Sequence, residues 1–250
     1  MSMVERHHDA EAINRILNDP AVRPDVADAA EGVLDISAAV ANPANVLLMG
    51  DHGGMMFFKL MAGFYEVHTQ FLPAGRGAWG SSFAVAAGEW LYCHTDAIEI
   101  MTRVPHGHPA AKALTLASGF RYRWTRPANT RFRGQVVDVD IYSHVIEDWA
   151  LRTSGLAEAG AAFHDRLHGF AAERHIDGPT HPDDPNHNAF VGACIALAEG
   201  GQLVKAVALY NKWALVSRHR PVEIVSLDPA RVRFDIGTMV VRNGKVEIEP

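Results

Sequence analysis

Cysteine is nearly missing from this chain: Cys93 and Cys194 are the only two in 250 residues. They stand far apart and form no Cys-x-x-Cys pair. That argues against a disulfide framework or a thiolate zinc site, and for a reducing compartment. No run approaches the roughly 18 apolar residues of a membrane span. The start of the chain, Val4 to Asp9, is charged and has no apolar signal core. The expected location is the cytoplasm, with no membrane partner. Excess basic charge is also missing. Lys and Arg number 23 against 29 Asp and Glu, a net charge of −6, so no global field draws the chain to nucleic acid. Internal repeats and low-complexity tracts are not evident. What is present is ordinary for a globular protein: 48% apolar and 21% charged residues, enough for a substantial core without staples. The length fits one large domain, or a domain and a smaller one.

Periodicity divides the chain. Ala12, Ile13, Ile16 and Leu17 recur at helical spacing after Asp9, a plausible cap. Pro20 and Pro24 end that helix, and the alanine-rich Val26–Val40 reads as a second one. Three strands follow at Val46–Met49, Met55–Met61 and Phe64–Phe71, the first two joined by a turn at Gly50–Gly54. A helix comes next, with Trp79, Phe83, Ala86, Ala87 and Trp90 on one face. Ala97–Val104 is a strand. Pro109 opens a helix that runs to Ser118, and Gly119 suits its left-handed end. Phe120–Thr125 and Val136–His144 form a last pair of strands around a polar turn. Beyond Asp148 the chain turns helix-rich: Glu147–Glu173, Ala189–Ala198 and Leu203–Ser217. Strands at Val232–Asp235 and Met239–Glu249 follow, the latter bent at Asn243-Gly244. The reading is a mixed α/β (α+β) sheet with helices on both faces over residues 1–148. Residues 149–250 form an accessory helical module with a terminal hairpin.

The richest segment is Phe64–Trp79, where a strand enters a glycine turn that opens a helix. First-turn amides have no internal partner, and the helix dipole adds positive charge at the same end. Gly75 and Gly77 let the backbone approach a phosphate, Arg76 adds a cation, and Ser81 and Ser82 add hydroxyls. These features read as a phosphate or pyrophosphate cradle. The pattern is neither Gly-x-x-x-x-Gly-Lys-Ser/Thr nor Gly-x-Gly-x-x-Gly, which disfavours a P-loop NTPase and a Rossmann dehydrogenase.

Tyr65-Glu66-Val67-His68 followed by Pro73-Ala74-Gly75-Arg76-Gly77-Ala78-Trp79-Gly80 resembles the central strand and pyrophosphate loop of GNAT (Gcn5-related N-acetyltransferase) proteins. Ile98-Glu99-Ile100, then Val104 to Leu114 and the closing Gly119-Phe120, resemble the family's next block. The resemblance spans about residues 5–145 and is nearest in flavour to the RimJ/RimL-like and phage-encoded branches. It implies an acyl-CoA-dependent N-acyltransferase using acetyl-CoA and an amine acceptor, a small molecule or a protein. By position, Val67 to Thr69 would line the pantetheine arm. Gly75, Arg76, Gly77, Ala78, Trp79 and Gly80 would hold the pyrophosphate, and His108 takes the place of a helix-start Asn. The chain departs from the family pattern at Ala74, Trp79, His108 and Thr115, the last standing where the family often has an acidic Tyr. A non-catalytic GNAT-fold protein with a structural or regulatory role, possibly phage-derived, is the alternative.

Other residues compete for attention. His68 and Glu66 share a strand face and are the candidate proton carriers. His52 reads as an exposed turn residue. His164 and His168 stand at i and i+4 near the Pro182–Asn188 loop, a spacing that can bind zinc. No third ligand is obvious, so no metal is expected, and a metal-dependent hydrolase is the weakest reading. Arg121, Arg123, Arg126, Arg131 and Arg133 interleave with Tyr122, Trp124 and Phe132. That pattern reads as an exposed hairpin rather than a nucleic-acid patch. The C-terminal module is expected to supply an acceptor wall or a homodimer contact.

Overall fold

Short apolar runs broken by glycine turns build the main sheet. The computed structural model describes residues 3–26, 32–146, 156–173, 185–217, 220–234 and 237–249. The chain divides into two compact units, Met1–Val145 and Ile146–Pro250. In the first unit the elements are β1 (Glu5–His7), α1 (Glu11–Leu17), α2 (Arg23–Val26), α3 (Ser37–Ala41), β2 (Val46–Gly50), β3 (Gly53–Met61) and β4 (Phe64–Phe71). After them come α4 (Ala78–His94), β5 (Glu99–Pro105), α5 (Pro109–Ala117), β6 (Arg121–Phe132) and β7 (Gln135–Val145). The seven strands lie in the order β1-β2-β3-β4-β5-β7-β6. All neighbours are antiparallel except β4 and β5.

That parallel pair decides the architecture. β4 pairs with β3 along its whole length. With β5 it makes only Phe64↔Glu99, Tyr65↔Ile100 and Glu66↔Met101. Beyond Glu66 the two strands part. The closed end is pinned by Asp96, whose carboxylate accepts from Tyr65 Oη at 2.8 Å, Lys59 Nζ at 2.7 Å and the Gly63 amide at 3.2 Å. The Gly63 carbonyl accepts from the amides of Ile98 and Glu99. At the first parted position Thr102 Oγ1 still reaches the Val67 carbonyl, 3.2 Å away.

On one face, Ile13 and Leu17 of α1 pack with Val40, Leu47, Met49 and Met56. On α4 the buried stripe is Gly80, Phe83, Ala84, Ala87 and Leu91. It is rotated from the expected one: Trp79, Ala86 and Trp90 are only half-buried. Trp79 sits at the rim, stacked on Phe83 and edge-on to Phe71.

The long helix expected over Val26–Val40 is not formed. Only α2 and α3 appear at its ends, and residues 27–31 lie outside the described region. Asn14 of α1 and Asn18 at its C-cap explain the non-helical path of residues 32–36. Asn18 accepts from the Leu34 amide and donates to its carbonyl, at 2.9 and 2.8 Å. Asn14 accepts from the Ile36 amide at 3.0 Å and donates to Asp35. The amides mimic a strand edge and take the hydrogen bonds that a helix would have used. Asp9 does accept from the Glu11 amide, but the N-cap residue is Ala10.

α5 behaves as expected at both ends. Pro109 occupies its first turn. Gly119, at φ +88°, closes it with Gly119 N–H to Leu116 O and Phe120 N–H to Thr115 O, the paired bonds of a Schellman end. β6 is longer than expected. The polar turn is only Arg133-Gly134, both at positive φ, and the strand continues through a bulge between Arg126 and Thr130. As an edge strand it exposes both faces, so Tyr122 and Trp124 are each 53% exposed instead of tucked inward.

The second unit holds α6 (Leu156–Glu173), α7 (Pro185–Glu199), α8 (Leu203–Ser217) and the strands β8 (Glu223–Leu227), β9 (Ala230–Phe234), β10 (Gly237–Arg242) and β11 (Lys245–Glu249). The four strands form their own antiparallel sheet in the order β11-β10-β9-β8, larger than the expected hairpin. The missed strand, β8, alternates exposed and half-buried residues and carries a weak apolar signal. α7 begins at Pro185, inside the stretch read as a loop, because proline suits a first helical turn. A Cβ at Gly160 would overlap the Asn188 carbonyl, so α6 and α7 meet backbone to backbone there. Among the described residues no helix is long and apolar enough to cross a membrane.

Candidate functional site

The parting of β4 and β5 leaves a cavity of about 410 Å³. Its walls come from β3 to β5, from the α1–α2 segment with Leu34 and Ile36, from α5, and from the tip of the β6–β7 hairpin. Val67, His68 and Thr69, three of the expected site residues on β4, line it. His108 and Thr115 of α5 line it too.

Glu66 and His68 are two apart on β4 and meet through side chains. Glu66 Oε1 lies 2.8 Å from His68 Nε2, 2.7 Å from Arg103 Nε and 2.5 Å from Arg103 Nη2. Glu66 is buried, while the side chains of His68 and Arg103 are 46% and 44% exposed. Burial works to raise the Glu66 carboxyl. The hydrogen bonds and charges of His68 and Arg103 outweigh it, and the net effect is a lowered pKa. An ionised carboxylate therefore faces the imidazole. Phe58 meets the His68 ring edge-on at 5.2 Å, and the two contacts fix the ring plane.

Arg103 escaped the sequence reading. The signal was one arginine in the apolar strand Ile100-Met101-Thr102-Arg103-Val104, two places beyond the residue that pairs with Glu66.

The glycine turn lies at the α4 N-terminus and does not line that cavity. Pro73–Gly75 forms one 3₁₀ turn. Gly77, at φ +75°, is the N-cap of α4 and brings no capping side chain to the first-turn amides. A Cβ on Gly75 would come within 2.7 Å of His52 Cβ, and one on Gly80 within 2.7 Å of the Gly75 carbonyl. Around Gly77 a Cβ would meet nothing within 4 Å. The turn is thus tight at Gly75 and Gly80 and open at Gly77 and Ala78, where the exposed backbone can take a phosphate. His52 packs on Trp79 at 5.1 Å, so this turn residue braces the loop.

Arg76 points elsewhere than expected. Its Nη2 donates to the Ala21 carbonyl at 2.7 Å and lies 3.5 Å from Asp25. Asp25 also accepts from Arg133 at 2.7 Å. His108 is the N-cap of α5: its Nδ1 accepts from the Ala111 amide at 3.3 Å, and its ring stacks on Phe132. Burial lowers the His108 pKa, aided by Arg133 and Arg76 against the pull of Asp25.

Among the described residues no group of three or more His, Cys, Asp or Glu side chains could hold a metal ion. His164 is buried on α6. The side chain of His168 and the loop residues 182–184 lie outside the described region.

A mixed sheet whose two central parallel strands part above a glycine-turn helix is the GNAT fold. Two mutant forms of the spermidine N-acetyltransferase SpeG from Vibrio cholerae are similar to this chain, each with a TM-score of 0.50. They are 14% and 13% identical, over 60% and 61% of this chain and 98% and 99% of theirs. Spermidine N-acetyltransferase from the same organism in complex with CoA and spermine gives a TM-score of 0.48 at 12% identity, over 60% of this chain and 99% of that one. No protein-family model and no curated protein sequence matches. At such identities the two matches with a TM-score of 0.50 establish the fold alone.

Proposed function

We propose that the protein is an acyl-CoA-dependent N-acyltransferase that moves an acetyl group from acetyl-CoA to an amine. One observation carries the reading: β4 and β5 part beyond Glu66 and Met101 over a cavity lined by His68, whose ring is hydrogen-bonded to Glu66. Coenzyme A fits the residues there. The facing edges of β4 and β5 have lost their ladder partners and can pair with the amides of a pantetheine arm along Val67 to Thr69. The open backbone at Gly77 and Ala78, ahead of Trp79 and Gly80, suits the pyrophosphate.

Bound there, the thioester supplies an acyl carbon to an amine nitrogen. The residues of this chain provide the proton path. With Nε2–H donating to Glu66, the neutral imidazole keeps Nδ1 free to accept the amine proton. Glu66 then faces an imidazolium and stabilises it, while Arg103 keeps the carboxylate ionised. Thr115, buried in the cavity wall, is an alcohol and no acid near neutrality. None is required, because a thiol with an ordinary pKa near ~8.5 leaves well as the thiolate.

Calorimetric titration with CoA and acetyl-CoA tests the binding step, and thiol release over a panel of amines tests the transfer. A protein that binds neither nucleotide refutes the assignment. Thr115 in the acid position and the engagement of Arg76 by Ala21 and Asp25 favour a second reading, a CoA-binding protein without turnover. Tight CoA binding with no thiol release from any amine would select it.

A further inference from the structure

Four guanidinium groups stand at or beside the cavity, and three of them share two carboxylates. Arg103 is spent on Glu66. Arg76 and Arg133 both lean on Asp25, at 3.5 and 2.7 Å. Arg131 lines the cavity and has no ion-pair partner among the described residues. It precedes Phe132, which turns to stack on His108. The same cavity is lined by the apolar residues Leu17, Pro24 and Val26 of the α1–α2 segment and by Leu34 and Ile36 beyond it.

Resting on the N-acyltransferase reading, we propose that the acceptor is an amine that also carries a carboxylate, and that Arg131 receives the carboxylate. Among the described residues the site has surplus positive charge and no unpaired carboxylate, which is repulsive to a polycationic acceptor. A carboxylate-bearing acceptor supplies the missing partner, and Arg binds it through two parallel hydrogen bonds. The surplus also aids the chemistry. Nearby cations disfavour an ammonium, so the amine reaches its neutral, nucleophilic form more readily. Transfer then forms the C–N bond and breaks the C–S bond. The amine proton passes to His68, and the thiolate takes a proton from water.

The test uses the full chain loaded with CoA and reads binding of transfer products by calorimetry. The probes are an N-acetyl dipeptide with a free carboxyl terminus, its C-terminal amide, and N-acetylspermidine. The free acid is expected to bind at least tenfold more tightly than either of the others. Arg131→Met should abolish that preference and Arg131→Lys restore part of it, both with CoA affinity unchanged. Equal binding of acid and amide, or preference for N-acetylspermidine, overturns the acceptor class while leaving the acyltransferase reading intact. Failure of CoA itself to bind removes both. A loss of CoA affinity in Arg131→Met, with the preference for the acid intact, assigns the arginine to the phosphates of the cofactor and overturns the proposal.

Discussion

At the scale of single residues, the proposed proton-carrying role of the Glu66–His68 pair is open to test by mutation. His68→Ala is expected to lower kcat by about 10²- to 10⁴-fold, the usual worth of a positioned base. Glu66→Gln keeps the size but removes the charge that fixes and supports the ring, so it should also lower kcat. Thiol release checks both. Wild-type turnover in both variants would remove the pair from the mechanism. Gly77 offers a second test. A Cβ there meets only open space within the protein, so Gly77→Val acts through its φ of +75° and through whatever occupies that space. With ψ at −132°, this backbone conformation is one that glycine almost alone adopts, and a side chain there costs roughly 1–3 kcal/mol. The variant should fold with a lowered Tm and lose most of its CoA affinity. Unchanged affinity in the folded variant would free the loop from the pyrophosphate role.

At the scale of elements, α1 carries a structural duty that its apolar periodicity conceals. Asn18 makes two hydrogen bonds to Leu34 and one to the Asn14 carbonyl. Each is worth about 0.5–1.5 kcal/mol net. Asn18→Ala should therefore cost about 1.5–4.5 kcal/mol in denaturant unfolding. It should also raise KM for the acceptor, because Leu34 and Ile36 line the cavity. An unaltered KM would mean that this segment does not form the acceptor wall. The same residues show where the sequence was hard to read. Alanine-rich composition argued for a helix at Val26–Val40, and two asparagines on another helix overrode it. Local propensity is a weak prior against tertiary hydrogen bonds. By contrast, Pro109 and Gly119 marked α5 from the sequence, because their roles are set by their own backbone preferences. Glu66 and His68 were legible because a strand repeats every two residues. Arg103 and Asp25 were not, since their partners lie on other elements and no local pattern records the meeting.

At the scale of the whole molecule, the first unit stores part of its stability in ionised groups, and the sign of each shift fixes the pH response. Glu66, Asp96 and Asp140 have lowered pKa values. In each case burial acts in the opposite direction and is outweighed by hydrogen bonds, chiefly from His68 and Arg103, from Lys59 and Tyr65, and from His106 and Thr125 respectively. Their stabilisation is complete above the ordinary carboxylate range near ~4 and is lost as pH falls through the lower folded values. His108 is lowered as well, mainly by burial. Its folded form resists protonation, so the unfolded chain takes up the proton first. That contribution is intact above about 6.5 and lost as pH falls from there toward the folded value. Unfolding free energy should therefore decline in two stages, gently below about 6.5 and steeply below about 4. His108→Gln keeps an acceptor for the α5 N-terminus but has no proton to gain. It should remove its share of the upper stage and leave the lower one in place. Denaturant melts of both proteins between pH 7 and pH 3 measure this directly. If the two curves stay parallel from pH 7 to pH 5, the buried imidazole is not what weakens the fold in mild acid.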